Sequence, residues 1–290
     1  MRPVNAPAWL MQRPIAHRGL HDKAKGVIEN TVAAARAAIA GGFAIEFDVQ
    51  MSVDGETIVF HDETLDRLTD ASGPLSAMRA ADIAKVRIKG AGEAPPTLAA
   101  FLEAVAGRTP LICELKSRFD GDWRNADRVA ALAAAYDGPL AFKSFDHDLI
   151  AYMRLRRPHA RDGAPCPIGI LAQAAYDDPS WSFLSAEQRR DWTDFDHFDL
   201  ARPDFLSWSV DDLPHKIPFL MKELTGAPVM AWTVRNAGQR EAARKWADQI
   251  VFDGEGQLSL REAKRRSNPG DHKAPRDPVD CFAAARRETG

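Results

Sequence analysis

The stretch AIEFDVQ, residues 44–50, decides how this chain is read. Side chains of a strand point alternately to its two faces, so Ile45, Phe47 and Val49 share one face and Glu46 and Asp48 the other. Two carboxylates on one face of a central strand repel each other and lose hydration, so that face must meet compensating charge. The run LICELK at 111–116 has a related pattern, with Glu114 and Lys116 on one face and Cys113 and Leu115 on the other.

Working outward, short apolar runs alternate with Ala-rich stretches for most of the length. Candidate strands cover 14–16, 43–50, 111–115, 140–142, 168–171, 205–210, 229–234 and 249–252. A further strand at 57–60 reads as a hairpin return, because Asp54-Gly55 is a tight-turn signal. In NTVAAARAAIAGG, Asn30 or Thr31 can cap a helix and Gly41-Gly42 can end it. Other helical patterns lie at 98–106, 126–136, 146–156 and 237–247. Strands alternating with helices predict a parallel sheet with right-handed crossovers, and about eight βα units favour a closed TIM (β/α)8 barrel. An open doubly wound sheet is the alternative, without a GxGxxG or GxxxxGK[ST] stretch to support nucleotide binding.

The 290 residues, 45% hydrophobic, suffice for one such barrel, placed here at 1–260. Two segments fall outside the repeat. Residues 177–201 are rich in aromatic and acidic side chains and read as an excursion after the fifth barrel strand. From 261 to 290 the chain turns polar and Pro-rich and reads as a mobile tail. A net charge of −3 gives no electrostatic footprint for nucleic acid or an anionic membrane. No apolar run approaches the ~20 residues of a membrane span, and the first residues lack the apolar stretch of a secretory signal. Cys113, Cys166 and Cys281 are widely spaced, which indicates neither a disulfide framework nor a zinc site. Together these features predict a cytoplasmic protein.

Catalytic groups of a parallel barrel gather at the carboxyl ends of its strands. His17-Arg18 follows the first strand, Glu46 and Asp48 lie on the second, His61 closes TIVFHD, and Glu114 and Lys116 end LICELK. A hard divalent cation, Mg²⁺ or Ca²⁺, takes oxygen ligands, and Glu46, Asp48 and Glu114 could supply them from neighbouring strands. Such an ion would offset the carboxylate repulsion. Paired histidines suit acid–base work because an imidazole titrates near neutral pH. Arg18 and Lys116 suit the oxygens of a phosphate, the first as a planar fork and the second as a point charge. These groups together point to phosphoryl chemistry on a diester.

The chain resembles the glycerophosphodiester phosphodiesterase family. The resemblance runs through IAHRG, IENT, the block IEFDVQMSVDGETIVFHDETLDRLT, PTL at 96–98, LICELK, and the later FKSFD, PIGIL and MAWTV segments. It implies a TIM barrel with an insertion after the second strand, here about 62–95. It implies a divalent metal on Glu46, Asp48 and Glu114, an acid–base pair in His17 and His61, and phosphate contact through Arg18. It further implies that Lys116 stabilises the transition state, that Glu29 and Asn30 shape the site, and that Trp232 packs near it. The substrate implied is a small glycerophosphodiester, cleaved to glycerol 3-phosphate and an alcohol through a cyclic phosphate formed by the glycerol 2-hydroxyl. FDGEG at 252–256 replaces the family's usual Thr-Asp-x-Pro-like turn after the eighth strand.

Plainer readings stand beside these. Lys116 could serve only as a salt-bridge partner of Glu114, and Trp232 could be core. His21 and Asp62 read as local turn residues, and His147, His159, His197 and His215 as structural or surface groups. Trp181 and Trp192 read as packing under a loop or, alternatively, as the wall of an acyl-chain groove in a lysophospholipase D. A binding protein on a barrel scaffold is the third possibility.

Overall fold

In the computed structural model, residues 6–254 are described. The expected tail at 261–290, and Cys281 within it, lie outside the described residues. The strands are β1 (Ile15–Ala16), β2 (Ala44–Met51), β3 (Thr57–Val59), β4 (Leu111–Leu115), β5 (Leu140–Ser144), β6 (Ile168–Ala172), β7 (Phe205–Ser209), β8 (Val229–Val234) and β9 (Gln249–Phe252). Their order is β1-β9-β8-β7-β6-β5-β4-β2-β3, and β1 also pairs with β2, which closes the sheet. All ladders of the closed ring are parallel, whereas β3 pairs with β2 antiparallel as a hairpin. The fold is therefore a TIM barrel with an added hairpin strand, and the open-sheet alternative is excluded.

Helices follow the expected positions closely. Thr31, not Asn30, caps Val32–Gly41, accepting from the Ala34 N–H, and Gly42 ends the helix in the left-handed region. Asp146 caps His147–Arg156. A helix at Lys216–Thr225 has no counterpart in the sequence reading. Its Pro218 lies in the first turn, where a missing N–H is tolerated. Residues 177–201 hold a short 3-10 turn, Pro179–Trp181, and the helices Ala186–Asp194 and Phe198–Ala201. No helix among the described residues is long and apolar enough to cross a membrane.

The barrel interior is layered. Its lower part is apolar, built from Ile15, Ala44, Ile112, Ala141, Phe205, Met230 and Val251, with Leu10 packed against them. Two residues further along three of those strands the same inward face becomes charged: Glu46 after Ala44, with Asp48 two residues beyond it, Glu114 after Ile112, and Lys143 after Ala141. Gly169 on β6 is required by close approach, since a Cβ there would stand 2.3 Å from the Phe205 ring. The other face of β2 is core, with Phe47 against Phe101 at 4.7 Å between ring centroids. The layering explains how one strand can be both structural and chemical.

Between β3 and the helix Leu98–Val105, the chain builds a small apolar cluster of its own. It comprises Ile58, Phe60, Leu65, Leu75, Ile83 and Val86.

Candidate active site

Register brings the charged residues to one level. Asp48 pairs with Glu114 across the β2–β4 ladder, and Glu114 pairs with Lys143 across β4–β5. Ligand atoms of Glu46, Asp48 and Glu114 lie within 4.8 Å of one another, and all three residues are buried. Three cations face them. Lys116 Nζ is 3.0 Å from Asp48 Oδ1 and 2.5 Å from Glu114 Oε1. Arg18 Nε is 3.4 Å from Asp48 Oδ2. Lys143 Nζ, itself buried, is 2.9 Å from Glu46 Oε1 and 3.8 Å from Glu114 Oε2.

Burial works against ionisation of Asp48, but Lys116, His61 and Arg18 outweigh it and hold its pKa well below the usual carboxylate range. Burial likewise opposes ionisation of Glu46, and the Lys143 ammonium reverses the balance, so its pKa is lowered. Burial disfavours the charged form of Lys116 as well, yet Asp48 and Glu114 raise its pKa above that of a free lysine. The neighbouring Cys113 thiol is wholly buried, and burial with three nearby carboxylates pushes its pKa up, so it stays a neutral core group.

The turn after β1 is held by unusual backbone. Arg18 and Asn30 adopt positive φ of 55° and 57°, a conformation costly for residues with a Cβ and common where function fixes geometry. Arg18 N–H donates to Glu46 Oε2 at 3.1 Å, and Arg18 Nη1 donates to Glu29 at 2.6 Å. The buried Asn30 grips Asp48 twice. Its Nδ2 donates to Asp48 Oδ2 at 2.8 Å, and its Oδ1 accepts from the Asp48 N–H at 3.2 Å. Gly19 completes the turn, because a Cβ there would lie 2.8 Å from that of Ala34.

Each histidine has its own carboxylate. His17 Nδ1 donates to Asp253 Oδ1 at 3.0 Å, which leaves Nε2 turned toward Glu46 Oε2, 4.0 Å away. His61, carried just past the β2–β3 hairpin, donates through Nδ1 to Asp62 at 2.7 Å. Gln50 steadies that loop by donating to the Phe60 and Asp62 carbonyls. Asp62 also accepts from Arg67, which in turn donates to Glu29. A continuous chain of charge therefore runs from Asp48 through Arg18, Glu29, Arg67 and Asp62 to His61.

Sequence reasoning missed Asp253, Arg67, Gln50 and Lys143, and it placed His21 and Asp62 as turn residues. His21 Nε2 donates to the same Asp253 oxygen as His17, at 3.1 Å. Asp253 is forced well below the usual carboxylate range: burial opposes this, but hydrogen bonds from His17 and His21 prevail. Two signals were present. Asp253 follows the last barrel strand, beside the first, and Lys143 interrupts an apolar strand in FKSFD.

Trp232 is partly buried on β8, donating its Nε1 to the Ser207 carbonyl at 2.9 Å and standing edge-on to Phe145. Trp192 is buried in a cluster with Tyr176, Leu184, Phe119 and Trp181, so it packs beneath the excursion instead of walling a groove. His147 and His197 stack at 4.7 Å, and burial pushes His197 down to about 3, so it is neutral. Beside His61 and Lys116 opens a cleft of about 650 Å³, lined also by Phe119, Asp120, Asp122 and Phe183.

A barrel whose mouth gathers a carboxylate triad, opposing cations and two carboxylate-backed histidines is that of a hydrolase equipped for phosphate esters. The profile of the glycerophosphoryl diester phosphodiesterase family matches residues 17–254, and the chain belongs to that family of hydrolases. A curated glycerophosphodiester phosphodiesterase of Caldanaerobacter subterraneus subsp. tengcongensis is 31% identical over 175 residues, 57% of this chain and 68% of that protein. Among solved structures, an Oleispira antarctica phosphodiesterase in complex with the product sn-glycerol-3-phosphate aligns with a TM-score of 0.71 at 20% identity, over 88% of this chain and 98% of its own. The glycerophosphodiester phosphodiesterase of Thermotoga maritima aligns with a TM-score of 0.63 at 22% identity, over 87% and 98%.

Proposed function

We propose that this protein hydrolyses small glycerophosphodiesters, such as glycerophosphocholine, to glycerol 3-phosphate and the free alcohol with the aid of a divalent cation, Mg²⁺ or Ca²⁺. The observation that carries this reading is the acidic triad with His17 4.0 Å from Glu46 on one side and His61, near Asp48, on the other. Family membership and the product named for the Oleispira structure support it.

The residues fit a cation. Among the described residues, Glu46 Oε1 and Asp48 Oδ1 are buried and met only by the Lys143 and Lys116 ammoniums, at 2.9 and 3.0 Å, and an all-carboxylate set is the chemistry of hard ions. Glu46, Asp48 and Glu114 would hold it, and its charge would polarise the attacking hydroxyl and a phosphoryl oxygen.

The side chains supply the rest. Arg18 and Lys116 orient the phosphodiester and stabilise charge building on its oxygens. With Nδ1 committed to Asp253, His17 has Nε2 free to take the proton of the glycerol 2-hydroxyl. That oxygen bonds to phosphorus while the bond to the headgroup oxygen breaks, and His61 gives the departing alcohol its proton. Water then opens the cyclic phosphate with the two histidines in exchanged roles. The cleft beside His61 receives the headgroup.

The test is glycerol 3-phosphate release from glycerophosphocholine by metal-stripped protein, with Mg²⁺ or Ca²⁺ restored, beside Glu46→Ala. Activity that requires the added ion and disappears in the variant is expected. Release that persists in Glu46→Ala overturns the site, and no release with any ion overturns the substrate.

A further inference from the structure

Lys143 is outside every role assigned above, yet it is the most deeply buried cation of the mouth. It lies inward on β5, flanked in register by Glu114 on one side and Gly169 on the other. Its ion pairs are with Glu46 and Glu114, two of the three candidate metal ligands. A buried ammonium must be paired, and among the described residues this one is paired only by groups that a metal would also claim.

The charge count around it is informative. Three carboxylates, Glu46, Asp48 and Glu114, stand against three cations, Arg18, Lys116 and Lys143. Arg18 is shared with Glu29, which Arg67 also pairs, so the charge around the triad is close to balanced before any ion enters. A divalent ion would tip it positive in a buried setting, where like charges interact strongly. A phosphodiester or phosphate monoester would remove part of that excess. Arg18 and Lys116 lie at the accessible side, half-buried, and can turn to such a ligand. Lys143 is enclosed and cannot.

We infer that Lys143 is a positioning residue that weakens intrinsic divalent-ion binding and thereby makes it depend on a phosphate group in the site. The inference rests on the metal-binding reading above. Ion and phosphate then favour each other, and by linkage the gain is the same in both directions. The free enzyme holds its triad by internal ion pairs, and the ion is taken up firmly only with a phosphate ester present.

Calorimetry on metal-stripped protein tests this without reference to turnover. Ca²⁺ and Mg²⁺ are titrated into wild type, Lys143→Met and Lys143→Arg, with and without saturating sn-glycerol 3-phosphate. Wild type should bind the ion about tenfold or more tightly when glycerol 3-phosphate is present. Lys143→Met should bind it about tenfold or more tightly than wild type without glycerol 3-phosphate, and should gain less from adding it. Lys143→Arg keeps the charge and should resemble wild type. Should Lys143→Met fail to fold, Lys143→Gln keeps a donor toward Glu46 without the charge and carries the same comparison. Unchanged or weaker ion affinity in the neutral variants overturns the role of Lys143 alone, as does equal tightening in Lys143→Arg. No ion binding by any of the proteins, with or without glycerol 3-phosphate, overturns the metal site itself and this inference with it.

Discussion

Asp253→Asn is the most discriminating substitution at this mouth, because it changes one charge and almost no volume. Asp253 Oδ1 accepts from His17 at 3.0 Å and from His21 at 3.1 Å, and Oδ2 pairs with Arg235 at 3.3 Å. Asparagine can offer only one accepting oxygen to these donors, and its other atom carries hydrogens. On the proposed assignment the lost interaction holds the His17 proton on Nδ1 and strengthens as the ring becomes positive. A hydrogen bond to a charged group is worth about 1.5–3 kcal/mol, which converts to about 10- to 150-fold in rate. The expected outcome is a fall in kcat of that size with KM little changed, since Asp253 acts through His17. Steady-state release of glycerol 3-phosphate from glycerophosphocholine reads both constants. His17→Ala should lose about 10²–10⁴, and adding Asp253→Asn to it should cost almost nothing more, because the carboxylate then has no ring to orient. An Asp253→Asn enzyme within twofold of wild type, or a double variant whose losses multiply, would refute the reasoning.

Three further outcomes follow from the same geometry. Because the folded pKa of Asp253 is depressed, its contribution to stability is complete above the ordinary aspartate value near 3.9 and is lost as pH falls toward the folded value. Denaturant midpoints of wild type and Asp253→Asn should accordingly converge on acidification below about pH 4, and a gap that widens there contradicts the assignment. Gly169→Ala places a Cβ against the Phe205 ring and should cost about 1–3 kcal/mol, a melting temperature lower by about 2–12 °C; an unchanged melting curve would mean the ring is free to move. His61→Ala should lose far less rate on a glycerophosphodiester with a nitrophenyl leaving group, which needs no proton, than on glycerophosphocholine. Equal losses on both would remove His61 from the leaving-group side.

The fold was legible because its signals are local. Apolar runs of strand length alternating with Ala-rich stretches specify βα units one at a time, and only the closure of β1 onto β9 is non-local. The triad was legible for the same reason: alternation fixes which face Glu46 and Asp48 share, and register then brings Glu114 level with Asp48. Asp253 and Lys143 were harder to read, since each acts on a residue far away in sequence. Asp253 reaches His17 across 236 positions. Asn30 was read as a possible cap because its type suits one, but Thr31 takes that place and frees Asn30 for Asp48. Arg67 lies in the block that carries the resemblance, but its role depends on how the segment after β3 folds back toward Glu29.

The two histidines differ in how firmly they are held, and that difference supports the direction of proton transfer proposed for them. His17 leaves β1, its N–H donates to the Phe252 carbonyl, and its carboxylate sits at the end of the strand that closes the barrel. It is held by both backbone and side-chain hydrogen bonds to the strand that closes the barrel and the residue after it. His61 is more exposed, its carboxylate is its own chain neighbour, and that carboxylate is steadied by the half-exposed Arg67. A base that must meet one invariant glycerol hydroxyl beside the triad gains from a rigid frame, because small misplacement is costly when reacting atoms must be aligned. An acid that must meet the oxygen of varied headgroups gains from standing at an open cleft. The cleft borders His61 and not His17, which on the proposed assignment gives the rigid position to the common part of the substrate and the accessible one to the variable part.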